Sequence, residues 1–161
     1  MSYKSLVNSK SGVTLTELLL VMGVLALMSG VMSVSLYAFF NRNKLELTKQ
    51  KIEAAMENAQ SRAIARENTA NWGIHFVNQT NPDYYQLFYG SSYAAGTVVS
   101  ITYLDSSVEF STPGAGLNKD IIFSQSTGYP GVADSVVIQR TSDSSAQKTV
   151  SVSAPGVITS Q

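Results

Sequence analysis

The sequence predicts an α+β molecule in which a long N-terminal α-helix packs on an antiparallel β-sheet head. Three observations predict it. Residues Leu18 to Phe40 run for 23 positions without a formal charge. No proline occurs before Pro82, so nothing of that kind interrupts a helix from Val13 to Arg66. From Trp72 onward, apolar and polar residues alternate in short runs between clusters of turn formers.

Composition narrows the function classes. The 161 residues suit one compact domain with an appendage and exclude a large multidomain enzyme. Eleven Lys and Arg balance eleven Asp and Glu, and charged residues are only 14% of the chain. No overall charge therefore draws it to nucleic acid or an acidic surface. The absence of cysteine removes disulfides, thiolate metal sites and a Cys nucleophile, and one histidine leaves metal chemistry few ligands. We assign no metal, cofactor or catalytic residue, and the chain is not expected to be an enzyme.

Residues 1–12 read as a short polar leader with Lys4 and Lys10 as its side-chain charges, ending in Ser11-Gly12. Residues 13–40 form the first helical segment. Its uncharged run Leu18–Phe40 matches the roughly 20 residues that cross a bilayer as a helix. A secretory signal is cut after its apolar run at a small-x-small site, whereas this run leads directly into polar helix formers, so it is expected to be retained. Residues 41–67 continue as an amphipathic helix. Leu45, Ile52, Met56, Ala59 and Ala63 recur at spacings of seven, four, three and four, one apolar stripe. Lys49 and Glu53 are expected to pair on the wet face, and Arg62 and Arg66 to lie on a solvated one.

Residues 68–161 are the β-rich head. Strands are expected at Trp72/Ile74/Phe76, Tyr85/Leu87/Tyr89, Val99/Ile101/Tyr103, Val108/Phe110, Ile121/Phe123, Val136/Ile138 and Val150/Val152. The breaks NQTNPD, YGSS, TPGAG, STGYPG and TSDSS supply turns, and Pro155-Gly156 suits the centre of a type II turn. His75, between Ile74 and Phe76, reads as a solvent-face or packed histidine. Asp105, Asp120, Asp134 and Asp143 read as turn residues, and Tyr84, Tyr85, Tyr89, Tyr93 and Tyr103 as strand formers before a binding face.

The functional signal lies in SGVTLTELLLVMGVLALM, where one carboxylate, Glu17, stands at the fifth position from Val13 on an otherwise apolar helix. A buried acid at the helix centre costs on the order of 2.5–3.5 kcal/mol in a membrane, less near the interface, so Glu17 calls for a partner. Cleavage after Gly12 supplies one in the Val13 α-amino group of a neighbouring subunit.

This string resembles the N-terminus of type IV prepilins and type II secretion pseudopilins. The resemblance implies a pilin-like fold, cleavage between Gly12 and Val13 by a prepilin peptidase, N-methylation of Val13, and intersubunit pairing by Glu17. It further implies other pilins or pseudopilins, the inner-membrane assembly platform and the cytoplasmic membrane as partners. Two positions depart from the pattern. Phe is usual at Val13, and the helix-breaking proline of many major pilins is replaced by Val34, where Gly30, Ser29, Ser33 and Ser35 are expected to loosen the helix instead.

ENAQSRAIAREN, DIIFSQSTGYPG and KTVSVSAPGVITS look like the head pattern of H-type minor pseudopilins and FimT-like minor pilins. In some FimT-like proteins arginines implicated in DNA binding follow the last glycine, whereas here Val157 and Ile158 follow Gly156, so nucleic acid is not an expected partner.

Orientation brings a conflict. Arg42, Lys44, Lys49 and Lys51 outnumber Lys4 and Lys10 across the run, which by the positive-inside rule puts the head in the cytoplasm. The resemblance implies the reverse, and the Gly12-to-Glu17 string is the more specific of the two. The expectation is a single-pass inner-membrane subunit, a minor pseudopilin or minor pilin with its head outside the cytoplasm. A membrane-tethered binding module, such as an adhesin or DNA-uptake minor pilin, is the alternative, and a tethered hydrolase comes third.

Overall fold

The computed structural model describes residues 12–79 and 82–161, with only the backbone described at 30–42. All of the predicted leader except Gly12 lies outside the described residues. Helix α1 runs from Leu15 to Ile64 as 50 continuous residues, so the expected helix is present and the backbone stays helical through Gly30. Among the described residues no helix is long and apolar enough to cross a membrane. The predicted span Leu18–Phe40 continues into 30–42, whose side chains lie outside the described residues. The chain divides into two compact units, 1–39 and 40–161.

In the second unit the stripe read from the sequence is the buried face of the helix: Leu45, Ile52, Met56, Ala59 and Ala63 are all in the core. The helix ends without Gly or Pro. Arg66 takes a left-handed conformation, φ 56°, and a short 3₁₀ turn, Glu67–Thr69, follows. Tertiary contacts hold this end: Ser126 N–H donates to Ala63 C=O at 2.9 Å, and Trp72 Nε1–H to Glu67 C=O at 3.0 Å.

Eight strands are present among the described residues, in two antiparallel sheets where one was expected. The first contains β1 (Trp72–Val77), β2 (Tyr84–Tyr89), β3 (Thr97–Tyr103) and β5 (Asn118–Phe123), in the order β3-β2-β1-β5. The second contains β4 (Val108–Thr112), β6 (Asp134–Arg140), β7 (Asp143–Val152) and β8 (Ile158–Ser160), in the order β4-β6-β7-β8. The chain first leaves the first sheet at Asp105, whose carboxylate accepts from Ser107 N–H (3.0 Å) and Ser107 Oγ–H (2.6 Å), and returns to it with β5. This Asx turn takes the chain away from β3 before β4 begins, and β4 pairs with β6 instead.

One core joins α1 to both sheets: Ile52, Met56 and Ala59 meet Ile74, Phe76 and Phe123 of the first sheet and Val136, Ile138 and Val150 of the second. Phe76 and Phe110 bridge the sheets edge to face, centroids 5.7 Å apart.

Three local expectations are corrected. Lys49 pairs with Glu46 at 2.6 Å and is mostly covered, while Glu53 accepts from Ser160 Oγ–H at 2.9 Å. The acid-first spacing of three wins because strand β8 occupies Glu53. Arg62 is not simply solvated: its guanidinium lies 4.8 Å from the Trp72 ring centroid and pairs with Glu67 at 3.0 Å. The Pro155-Gly156 turn closes one residue earlier than expected, through Gly156 N–H to Ser153 C=O at 2.8 Å. Gly156 is therefore the last residue of the turn, at φ 85°, and a β-carbon there would meet Gly128 O at 2.9 Å.

Candidate functional site

The N-terminal unit carries Gly12, Val13 and Glu17. Gly12 is exposed, with nothing within 4 Å of a β-carbon placed on it. Val13 is 72% exposed. Thr14 caps the helix: Glu17 N–H approaches Thr14 Oγ1 at 3.3 Å, and Leu18 N–H donates to Thr14 C=O at 3.1 Å. Thr14-Leu15-Thr16-Glu17 is thus an N-terminal capping sequence, so Glu17 has a local role at the helix start that was not expected from the sequence. An acid in the first turn also suits the positive end of the helix dipole. These roles are local and leave the carboxylate exposed.

Beyond Glu17, every described side chain up to Ser29 is exposed, including Leu18, Leu19, Leu20, Leu25 and Leu27. The apolar residues surround the helix instead of forming a stripe, so packing along one side does not cover them. Ser29 Oγ–H donates back to Leu25 C=O at 2.7 Å, a contact that keeps its hydroxyl satisfied within an apolar helix.

The head holds a polar cluster that turn chemistry did not anticipate. Asp120 lies within β5, directly opposite His75 of β1, and its Oδ1 is 2.5 Å from His75 Nδ1. Tyr93, from the β2–β3 loop, stacks on the imidazole with centroids 3.6 Å apart, and its hydroxyl donates to Gln86 Oε1. His75 and Gln86 are buried. Their alternation in β1 and β2 signals a shared face opposite the core, but strand pairing was needed to bring Asp120 to them. The arrangement holds the β2–β3 loop over the sheet.

The other aspartates perform the expected turn chemistry. Hydrogen bonds from Ser107, assisted by Lys44 at 3.1 Å, hold the Asp105 carboxyl below its ordinary range. Hydrogen bonds from Ser145, assisted by Arg140, do the same for Asp143. Asp134 accepts from Ser135 N–H at 2.7 Å and pairs with Lys119. Asp83 is the exception: burial raises its carboxyl, although Oδ2 accepts from Phe110 N–H at 2.7 Å. The tyrosines do not form one face: Tyr85 and Tyr89 point toward the core, Tyr84 packs on Tyr103, and Tyr93 covers His75.

No protein-family model matches the chain, and no curated protein matches it. Among solved structures it is similar to the minor pseudopilin EpsH from the Type 2 Secretion System of Vibrio cholerae, with a TM-score of 0.54 and 11% identity over 73% of this chain and 96% of that one. The fold is pilin-like. At this identity the likeness concerns architecture alone, a helix carrying antiparallel sheets.

Proposed function

We propose that this chain is a structural subunit, a minor pseudopilin or minor pilin, that assembles into a secretion pseudopilus or type IV pilus through its N-terminal helix. The observation that carries the proposal is an apolar helical surface, exposed from Leu18 to Met28 and preceded by Glu17, on a chain with a pilin-like fold. Such a surface requires lipid or other apolar helices to cover it. In this reading the uncharged run holds the subunit in the inner membrane, with the head outside the cytoplasm, until neighbouring helices replace lipid.

A prepilin peptidase cuts between Gly12 and Val13, Val13 is N-methylated, and the Val13 ammonium pairs with Glu17 of a neighbour. The inner-membrane platform and other pilins or pseudopilins are the partners. An unpaired carboxylate is penalised once the bundle excludes water, whereas a paired one is not, so the contact sets docking and register.

Mass spectrometry of protein from peptidase-positive cells is expected to find Val13 as a methylated first residue. An intact Met1 start would refute the processing step. Glu17→Val is expected to leave the protein processed and its head folded but to reduce its cross-linking into filaments. Wild-type incorporation at matched protein levels would overturn the role of Glu17.

A further inference from the structure

We propose that β3 accepts an added strand: an acidic, extended polypeptide segment of another protein pairs with the Ser100–Tyr103 edge and lies along the groove between β3 and α1. All of these residues belong to the second unit, 40–161, and their arrangement does not rest on the assembly reading.

Sheet edges expose unpaired N–H and C=O groups, and proteins ordinarily blunt them. Three of the four edges described here are blunted. On β4, Phe110 N–H donates to the Asp83 carboxylate, and Phe110 C=O accepts from Asn78 Nδ2–H at 2.8 Å. On β5 the charged Lys119 and Asp120 occupy the strand, with Lys119 Nζ–H donating to Ser135 C=O at 2.7 Å. Strand β8 has only three residues, and Ser160 is tied to Glu53.

Strand β3, by contrast, has seven residues, TVVSITY, with neither charge nor proline. All its side chains but the half-buried Thr102 are exposed, Ile101 at 50% and Tyr103 at 62%. A bulge opposite Leu87 and Phe88 divides it and leaves Ser100–Tyr103 in regular register with β2. Leu104 N–H donates to Asp83 C=O at 2.8 Å, continuing the Tyr103↔Tyr84 register. By antiparallel alternation, the N–H and C=O groups of Ile101 and Tyr103 then face away from β2.

The groove beside this edge defines the partner. It has a volume of about 490 Å³ and lies between Val99, Ser100 and Thr102 of β3 and Lys51, Ala54, Ala55 and Arg62 of α1, with Tyr85 and Leu87 as its floor. Ala54 and Ala55 leave room for incoming side chains. Arg62 is engaged with Glu67, but Lys51 forms no ion pair among the described residues. Lys44 lines the adjoining hollow and is answered there by Asp105. A strand carrying carboxylates would pair its backbone with β3 and meet Lys51, the mode of peptide recognition in which main-chain bonds give affinity and side chains select. A second copy would offer β3 itself, which has no carboxylate, and leave Lys51 unanswered.

The test uses the full chain in uncharged detergent and a dye-labelled peptide of alternating valine and glutamate, followed by fluorescence anisotropy. The glutamate peptide is expected to bind about tenfold more tightly than the same peptide with lysine, and Lys51→Glu to reverse that preference. Ile101→Pro is expected to abolish binding with an unchanged melting curve, because that N–H serves no bond to β2. Should that variant misfold, N-methylation of alternate peptide amides tests strand pairing on the unaltered protein and is expected to abolish binding.

Equal affinity for the two peptides, indifference to N-methylation, or no binding up to about millimolar peptide would each overturn the proposal. Dimerisation lost on blocking the edge would assign it to a second copy and also overturn it.

Discussion

Residues 15–29 and 43–64 belong to the same α-helix yet stand in opposite environments. In the later segment, Ile52, Met56, Ala59 and Ala63 are fully buried, whereas in the earlier one every described side chain is exposed. The contrast does not reflect less apolar sequence, since the earlier segment is the more apolar. What differs is arrangement. Apolar residues at spacings of three and four form one stripe that the sheets can cover, while apolar residues all around need a surrounding medium. The first pattern is completed by folding; under the proposed assembly, neighbouring helices or lipid complete the second.

Truncation should separate the segments most strongly. Ile52→Ala is expected to cost the head about 2–5 kcal/mol in denaturant melts of the full chain in detergent, while Leu25→Ala should stay within about 0.5 kcal/mol. Equal effects would erase the distinction. A smaller effect belongs to the loops that hold the later segment. Gln60 Nε2 donates to Gly128 C=O at 3.0 Å and Gly156 C=O at 2.6 Å, and Gly156 holds φ 85°. Gly156→Ala should therefore cost about 1–3 kcal/mol by the same measurement, combining left-handed strain with a clash.

Acid sharpens the comparison through Asp105, which pairs with Lys44 near the start of the head-bound segment. Its folded value is depressed, so its contribution is present above the ordinary carboxylate range and lost as pH falls through the lowered value. Asp105→Asn should flatten the loss of stability in that window, within about 1 kcal/mol because the pair is partly exposed. Asp83, raised by burial, has the opposite sign: its contribution is lost as pH rises through the raised value. Asp83→Asn should leave the acid-side loss and weaken that opposing trend. The smallest expected effect is that of Glu17→Val on melting of the head, within about 0.5 kcal/mol, since Glu17 lies in the other unit. A larger shift would show that the two segments are not independent.

Much of the fold was legible in residue order. The buried stripe from Leu45 to Ala63 and the seven expected strands follow from local periods of 3.6 and two, which depend on neighbours along the chain. The cap at Thr14 was equally legible, being a four-residue pattern. The candidate site is a string of consecutive residues, Gly12 to Glu17, of which Glu17 stands in the first turn of the helix.

The tertiary structure decided what joins distant positions. It divided the strands between two sheets, with β5 returning to the first after β4, placed Asp120 against His75, moved Glu53 from Lys49 to Ser160 and left β3 as the open edge. None of these follows from a local period, because strand register sets each partner, and register is chosen by the whole buried face at once. The sequence by itself determined which residues must be hidden; only the packed chain decided which polar groups would meet once they were.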